Sequence, residues 1–259
     1  MGFFTDTSLC IGCKACEVAC KEWNQVPEDG LTFTGESYDN TGALGCNTWR
    51  HVAFIEQTKP VSLPDPQGGG ELRWLMASDV CKHCANAACL DVCPTGALTR
   101  TEFGTVVVQQ DVCNGCGYCV PACPFGVLDR REEDGRVWKC TLCYDRLRAD
   151  MEPACAMACP TKSIQFGALV DLLPMADRRV AELHQRGVTQ ARLYGADRGD
   201  GVGGFGAFFL LLDEPEVYGL PPDPVVTTRD LWQAWSAAGV ASVGMVIAVA
   251  AAFLGKRWR

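Results

Sequence analysis

The run Cys113-Asn-Gly-Cys116-Gly-Tyr-Cys119-Val-Pro-Ala-Cys123-Pro124 decides how the whole chain is read. Its spacing, C-x2-C-x2-C-x3-C-P, is a thiolate pattern that holds [4Fe–4S] clusters. Three thiolates two residues apart let one short loop wrap three irons of a cube. The fourth, followed by proline, departs in another direction and ligates a different cluster. One such run therefore predicts a partner run.

The sequence supplies three more. Group one is Cys10, Cys13, Cys16 and Cys20; group two is Cys81, Cys84, Cys89 and Cys93; group four is Cys140, Cys143, Cys155 and Cys159. Two extra residues in group two and nine in group four lengthen the loop before the third cysteine. Sixteen of 17 cysteines fall into these groups, and Cys46 stands alone as an expected free thiol. A secreted disulfide scaffold is normally short and does not repeat this spacing. Structural zinc also uses C-x2-C pairs, but without a third cysteine two residues on and a closing Cys-Pro. The spacing thus favours four [4Fe–4S] clusters, each taking three ligands from one group and one from its mate.

Composition bounds the rest. The 259 residues, 48% of them apolar, suffice for one large or two small cores. A net charge of −8 gives no reason to expect a nucleic-acid partner. Thiolate ligands must be reduced during cluster insertion, which predicts assembly in the cytoplasm. No basic region or apolar stretch precedes Cys10, so no secretory signal of the chain's own is expected.

Between groups two and three, the segment after Pro94 reads as a small hairpin around a glycine turn, and Pro160 to Gly167 as a similar strand start. Thr48 to Glu56 and Glu71 to Met76 read as strands, with an exposed loop at Asp65-Pro-Gln-Gly-Gly-Gly between them; this insertion shows no obvious chemistry. Leu173, Ala176, Val180 and Leu183 recur at helical spacing, and strands follow at Ala191-Arg-Leu-Tyr and Ala207-Phe-Phe-Leu-Leu-Leu. The glycine-rich 199–206 lacks the strand–turn–helix setting of a phosphate loop and is expected to be a packed loop. After the Pro221-Pro-Asp-Pro linker, about 232–255 is uncharged and long enough to span a bilayer, with tryptophans at its borders. Lys256-Arg-Trp-Arg follows it, whereas Arg229 is the one cation among the acids before it. The positive-inside rule then puts the C-terminus in the cytoplasm and the cysteine-rich body on the outer face. Such a body would be exported folded, carried by a partner.

The cysteines come with no acid–base pair, Ser/His/Asp set or open metal position. His51, His83 and His184 are expected to be surface or packing residues, although His83 lies inside the second cluster loop. Lys14, Lys82, Lys139 and Lys162 flank cluster cysteines and either offset cluster charge or are solvated. Spacing leaves the pairing of groups open. The short hairpin between groups two and three favours that pair, enclosed by groups one and four.

The order of the groups, with x4 in the second and x11 in the fourth, resembles the iron–sulfur subunits of molybdopterin oxidoreductases. More specifically, the chain resembles the beta subunit of respiratory membrane-bound formate dehydrogenase. The likeness rests on Cys10-Ile-Gly-Cys-Lys-Ala-Cys-Glu-Val-Ala-Cys-Lys-Glu-Trp-Asn, Trp49-Arg-His-Val-Ala-Phe-Ile-Glu, Lys139-Cys-Thr-Leu-Cys-Tyr-Asp-Arg, Arg179-Val-Ala-Glu-Leu and Glu214-Pro-Glu-Val-Tyr-Gly-Leu-Pro. It implies electron transfer through four clusters, from a Mo- or W-bis-pterin catalytic (alpha) subunit to a membrane cytochrome b (gamma) subunit that reduces quinone. It also implies the ligand sets: Cys10, Cys13, Cys16 with Cys159; Cys20 with Cys140, Cys143, Cys155; Cys81, Cys84, Cys89 with Cys123; and Cys93 with Cys113, Cys116, Cys119.

The expected fold is α+β. Two nested bacterial-ferredoxin-like domains occupy 1–165, the outer from 1–77 and 131–165 and the inner from 78–130. A small α+β module follows at 166–222, then a linker and transmembrane helix at 223–259. The expected function is a non-catalytic electron-transfer subunit of formate dehydrogenase. The alternatives are the equivalent subunit of another molybdoenzyme or a quinone-linked hydrogenase, or a stand-alone polyferredoxin.

Overall fold

A computed structural model describes residues 1–30, 33, 35, 38–58 and 72–255. The expected loop at 65–70, the first residue of the strand expected from Glu71, and the terminal Lys256-Arg-Trp-Arg lie outside them. Residues 1–226 form one compact unit and 227–259 a second. In chain order the first contains β1 (Gly2–Asp6), α1 (Ala15–Asn24), β2 (Arg50–Thr58), β3 (Leu72–Val80), α2 (Ala88–Asp91), β4 (Leu98–Arg100), β5 (Val106–Val108), α3 (Cys119–Ala122), β6 (Asp129–Arg130), β7 (Val137–Trp138), α4 (Tyr144–Arg148), α5 (Ala154–Met157), β8 (Ile164–Gly167), α6 (Leu169–Gln185), β9 (Arg192–Tyr194) and β10 (Ala207–Leu211). The second contains α7 (Leu231–Gly255).

The largest sheet among the described residues has the strand order β8-β1-β10-β9, with β1 parallel to β10 and the other pairs antiparallel. Its two central strands are buried throughout, which suits their near-continuous apolar sequences, Gly2-Phe-Phe-Thr-Asp and Ala207-Phe-Phe-Leu-Leu. Phe4 stacks on Phe208 at 5.3 Å, and Phe3 meets Phe166 edge-on at 5.9 Å. Each buried phenylalanine contributes about 1.5–3 kcal/mol. Helix α6 lays Leu172, Ala176 and Leu183 against this sheet, and Arg179 Nε donates to the buried Asp6 Oδ2 at 2.9 Å. The helix starts ahead of the expected Leu173 and carries Pro174 on an exposed position, where the lost backbone bond faces water.

The strands expected in 166–222 therefore form, but they share a sheet with residues 2–6 and 164–167 instead of closing on themselves. The strand start after Pro160 becomes β8, which pairs with β1 and not in a local hairpin. The hairpin of that region is β6–β7, with Asp129↔Trp138 and Arg130↔Val137. Two-residue strands rich in charge carry no alternation for sequence reading to detect. The expected hairpin between groups two and three is β4–β5, with Leu98↔Val108. Strands β2 and β3 pair over nine residues from Arg50↔Val80 to Thr58↔Leu72.

The x3 spacing of each closing cysteine pair has a helical cause. Positions i and i+4 lie on one helix face but on successive turns. Cys16 and Cys20 both lie within α1, whereas Cys93, Cys123 and Cys159 fall just past α2, α3 and α5. Proline follows those three and stops each helix after one turn. Lys21 follows Cys20 instead, and α1 runs on to Asn24.

The loop 199–206 is packed, as expected. Ala85 N donates to Gly204 O at 2.9 Å and Asn86 N to Val202 O at 2.7 Å, which fastens the loop onto the Cys81–Cys84 turn. Helix α7 carries no charge, with a mean hydropathy of 2.3 over Leu231–Leu254 and no buried residues.

Gly115, inside the Cys113 run, adopts φ +72°, and a Cβ there would stand 2.2 Å from the Gly135 carbonyl oxygen in the β6–β7 turn. Gly115→Ala therefore meets backbone strain and a backbone clash together. The expected loss is about 1–3 kcal/mol, seen as a lower thermal midpoint in far-ultraviolet dichroism; an unchanged midpoint would contradict the close approach.

Candidate metal centres

The sixteen grouped thiols gather into four sets. Cys10, Cys13, Cys16 and Cys159 line one narrow cleft with Val52, Ser78 and Ile164. Cys81, Cys84, Cys89 and Cys123 line another with Ala88, Val106 and Leu128. Around Cys20 stand Cys140, Cys155 and Cys143, and around Cys119 stand Cys93, Cys113 and Cys116. None of the four sets includes Cys46.

Proton affinities report the crowding. Burial pushes the Cys10 thiol up to about 11, against a lowering by the Gly12 backbone N–H and with further raising by Cys16, Cys159 and Cys13. Burial takes Cys89 and Cys140 to about 12, and Cys20 well above its ordinary value. Neighbouring thiolates repel, so four of them persist together only when a cation neutralises them. Among the described residues no three His, Cys, Asp or Glu side chains converge on a point that could hold a single metal ion. Mononuclear zinc needs ligands about 2.3 Å from one centre. Thiols arranged around a cleft suit a polynuclear cluster, whose irons spread the ligands apart, and the all-thiolate donor set fits iron–sulfur chemistry.

The loops have a common backbone feature. The second residue between the first two cysteines of every group is left-handed: Gly12 at φ +67°, His83 at +45°, Gly115 at +72° and Leu142 at +58°. Glycine adopts this without cost, whereas His83 and Leu142 hold it under strain. A left-handed residue there curls each loop back on itself.

Successive sets adjoin. Cys16 and Cys155 feel each other across the first and second, Cys140 and Cys81 across the second and third, and Cys89 and Cys119 across the third and fourth. The second set is wholly buried, whereas Cys13 in the first and Cys116 in the fourth are exposed. The arrangement is a row with an accessible thiol at each end.

The flanking lysines divide by environment. Lys82 and Lys139 are buried, Lys14 pairs with Asp39 at 2.8 Å, and Lys162 is exposed. Burial alone would lower the Lys139 ammonium, but Cys81, Cys89 and Cys140 outweigh it and hold the group above an ordinary lysine. Its Nζ donates to the carbonyls of Val106 and Cys140, the latter at 2.9 Å. Lys82 Nζ bonds Asp79 and the Val80 carbonyl and lies 4.9 Å from the Phe209 ring centre. His83 is buried, and burial depresses its pKa well below the usual range; Nδ1 accepts from Val106 N at 3.0 Å, which leaves Nε2 protonated. His51 pairs with Asp39, and His184 lies against the Ala191 carbonyl at 2.7 Å, so both have structural roles.

Two residues escaped the sequence reading. Arg50 and Ser78 lie on β2 and β3, in the insertion that showed no obvious chemistry, yet both are buried beside the first set. A separate cleft of about 710 Å³, lined by Trp23, Trp49, Arg100 and Tyr144 among others, contains no cysteine.

An α+β chain with its thiols gathered in this way is a ferredoxin-type iron–sulfur protein. It matches two families, each described as a 4Fe-4S dicluster domain, one over residues 9–97 and the other over 72–169. The "Formate dehydrogenase, nitrate-inducible, iron-sulfur subunit" of Escherichia coli is 42% identical over 233 residues, covering 88% of this chain and 75% of the relative. The "Formate dehydrogenase iron-sulfur subunit" of Haemophilus influenzae is 40% identical over 96% of this chain and 78% of its own length. A subunit of the anaerobic dimethyl sulfoxide reductase of Escherichia coli is 36% identical over 66% of this chain and 75% of the relative. The chain belongs to the family of formate dehydrogenase iron–sulfur subunits.

Cys46 is half-buried, and its thiol is raised first by burial and then by Asp129, with no cysteine among the groups that shift it most. Cys46→Ser should leave the iron content per chain unchanged, whereas Cys20→Ser should lower it. Metal analysis of the two purified variants decides, and iron lost from Cys46→Ser would give that thiol a ligand's role.

Proposed function

We propose that this chain is the electron wire of a formate dehydrogenase complex, passing electrons through four [4Fe–4S] clusters in a row. The observation that carries this is the mutual approach of successive thiol sets, ending at exposed Cys13 on one side and exposed Cys116 on the other. Cluster 1 takes Cys10, Cys13, Cys16 and Cys159; cluster 2 takes Cys20, Cys140, Cys143 and Cys155. Cluster 3 takes Cys81, Cys84, Cys89 and Cys123; cluster 4 takes Cys93, Cys113, Cys116 and Cys119. Clusters 1 and 2 belong to an outer domain, 1–77 plus 131–165, and clusters 3 and 4 to an inner domain, 78–130. When bound, the clusters supply one-electron redox chemistry. The protein's own residues fix their spacing, keep water from the wholly buried second set and offset their charge.

Fully thiolate-ligated iron leaves no position for substrate, so formate chemistry belongs to a partner holding Mo or W on a bis-pterin cofactor. The other partner is a membrane cytochrome b, which passes the electrons to quinone. Family membership at 42% and 40% identity supports formate over the reductase alternative, whose subunit matches a shorter stretch. Helix α7, uncharged over a bilayer's thickness and bordered by Trp232 and Trp235, is the anchor. Its Ala and Gly residues suit close packing against another membrane helix. The cations at 256–259 favour a cytoplasmic C-terminus with the cluster body on the outer face.

Two measurements test this. The intact chain should co-purify with a pterin-containing subunit and be reduced by formate, with an artificial acceptor reoxidising it; purification with no pterin subunit would defeat the assignment. Truncation before Leu231 should release the cluster-loaded chain from the membrane fraction, and retention there would remove α7 as the anchor.

A further inference from the structure

Arg50 is 2% exposed, at the start of β2, in a unit where most arginines reach solvent. Its guanidinium carbon lies 5.0 Å from the Phe3 ring centre. Nη1 donates to Ser78 Oγ at 2.9 Å and to the Ser78 carbonyl at 3.3 Å. Nε and Nη2 have no hydrogen-bond acceptor among the described residues, though both atoms are buried. Guanidinium has five N–H donors, so three of them are left without a protein partner. A buried charged donor without an acceptor is costly, and such groups are rare in folded proteins.

The surroundings supply a reason. The thiols whose charge acts most strongly on Arg50 are Cys155, Cys16, Cys140 and Cys20, which come from both the first and second thiol sets. Ser78 Oγ also lies 3.2 Å from Cys16 Sγ, so a hydroxyl that accepts from Arg50 is free to give its own proton to a thiolate at that position. A carboxylate would satisfy the guanidinium more simply, yet no salt bridge to Arg50 occurs among the described residues.

We infer that Arg50 is a shared counter-charge for clusters 1 and 2, its free N–H donors directed at the sulfur of both clusters, so that one side chain sets two reduction potentials. This rests on the four-cluster assignment above. A fixed positive charge stabilises the more negative, reduced state of each neighbour, and guanidinium cannot lose its proton in a protein. Lys139 stands between the second and third sets in a different manner, with protein carbonyls to receive its protons.

The test is a redox titration followed by electron paramagnetic resonance on the cluster-loaded chain, comparing R50M, R50K and the wild type. In R50M two of the four midpoint potentials should fall, each by about tenfold in the reduction equilibrium, the effect of unit charges roughly 12 Å apart at an effective dielectric of about 20. Tenfold is about 59 mV for a one-electron step. The other two should stay in place, and R50K should keep all four near their wild-type values. A fully loaded R50M chain with unmoved potentials would overturn the inference, as would R50K shifting as far as R50M. If R50M fails to load clusters, R50K decides: loading with wild-type potentials upholds the charge role, and equal failure assigns Arg50 to packing and overturns it. Wild-type iron well below about sixteen atoms per chain would overturn the four-cluster assignment itself. The iron count and the variant potentials thus report on the two claims separately.

Discussion

The structure depends on one geometric fact: cysteines four residues apart on a short helix serve different thiol sets. Cys16 joins Cys10 and Cys13, while Cys20, one turn on, joins Cys140, Cys143 and Cys155. Residues 10–20 must therefore lie beside residues 140–159, and α1 packs against α5. The same exchange holds α2 against α3. Once the outer pair is joined, β1 and β8, which flank it in sequence, lie side by side and pair from Gly2↔Gly167 to Thr5↔Ile164. The large sheet extends this pairing, with β10 and β9 added on the other side of β1. Sheet and thiol sets brace each other, and the cysteines themselves belong to the continuous apolar core.

The second constraint is charge. A chain of net charge −8 gathers sixteen thiols into four crowded sets, and burial raises the proton affinity of nearly every thiol for which a shift is resolved. Iron supplies most of the neutralisation. The remainder comes from cations buried beside the thiols, where the low dielectric strengthens their effect. Lys139 lies at the crossing from the second set to the third, and Lys82 beside Cys84 and Cys123. Of the lysines next to cluster cysteines, only these two are buried; Lys14 is tied to carboxylates and Lys162 points to solvent.

The four cysteine groups were legible in the sequence because ligation imposes spacing, and spacing survives in one dimension; which groups exchange their fourth cysteine was not. The long strands β2 and β3, the α6 periodicity and α7 were legible for a similar reason: each carries its pattern within a single segment. What could not be read depends on residues far apart in the chain. The parallel pairing of Phe4 with Phe208 joins the two ends of the first unit, and no local pattern announces it. Likewise β6–β7 is too short to show alternation, and its place is set by the Cys113 loop against which Gly135 rests. Arg50 was hidden most completely. It looks like an ordinary edge-of-strand arginine until β3 brings Ser78 opposite and β1 places Phe3 above it.

Burial and exposure differ from set to set along the proposed row. The second set has all four thiols buried, and the third has Cys81 buried with three thiols half-covered. In the proposed row, clusters at these positions would be better covered than the ends, where exposed Cys13 and Cys116 would let a partner's redox centre approach. Exposed Ile11, Val18 and Met157 lie beside the first set, and exposed Val112 and Tyr118 beside the fourth. Apolar side chains at both ends suit contacts that exclude water where an electron enters and leaves. On the proposed assignment, a better covered middle and two exposed ends define a path for transfer along the row, with the substrate reaction outside this chain.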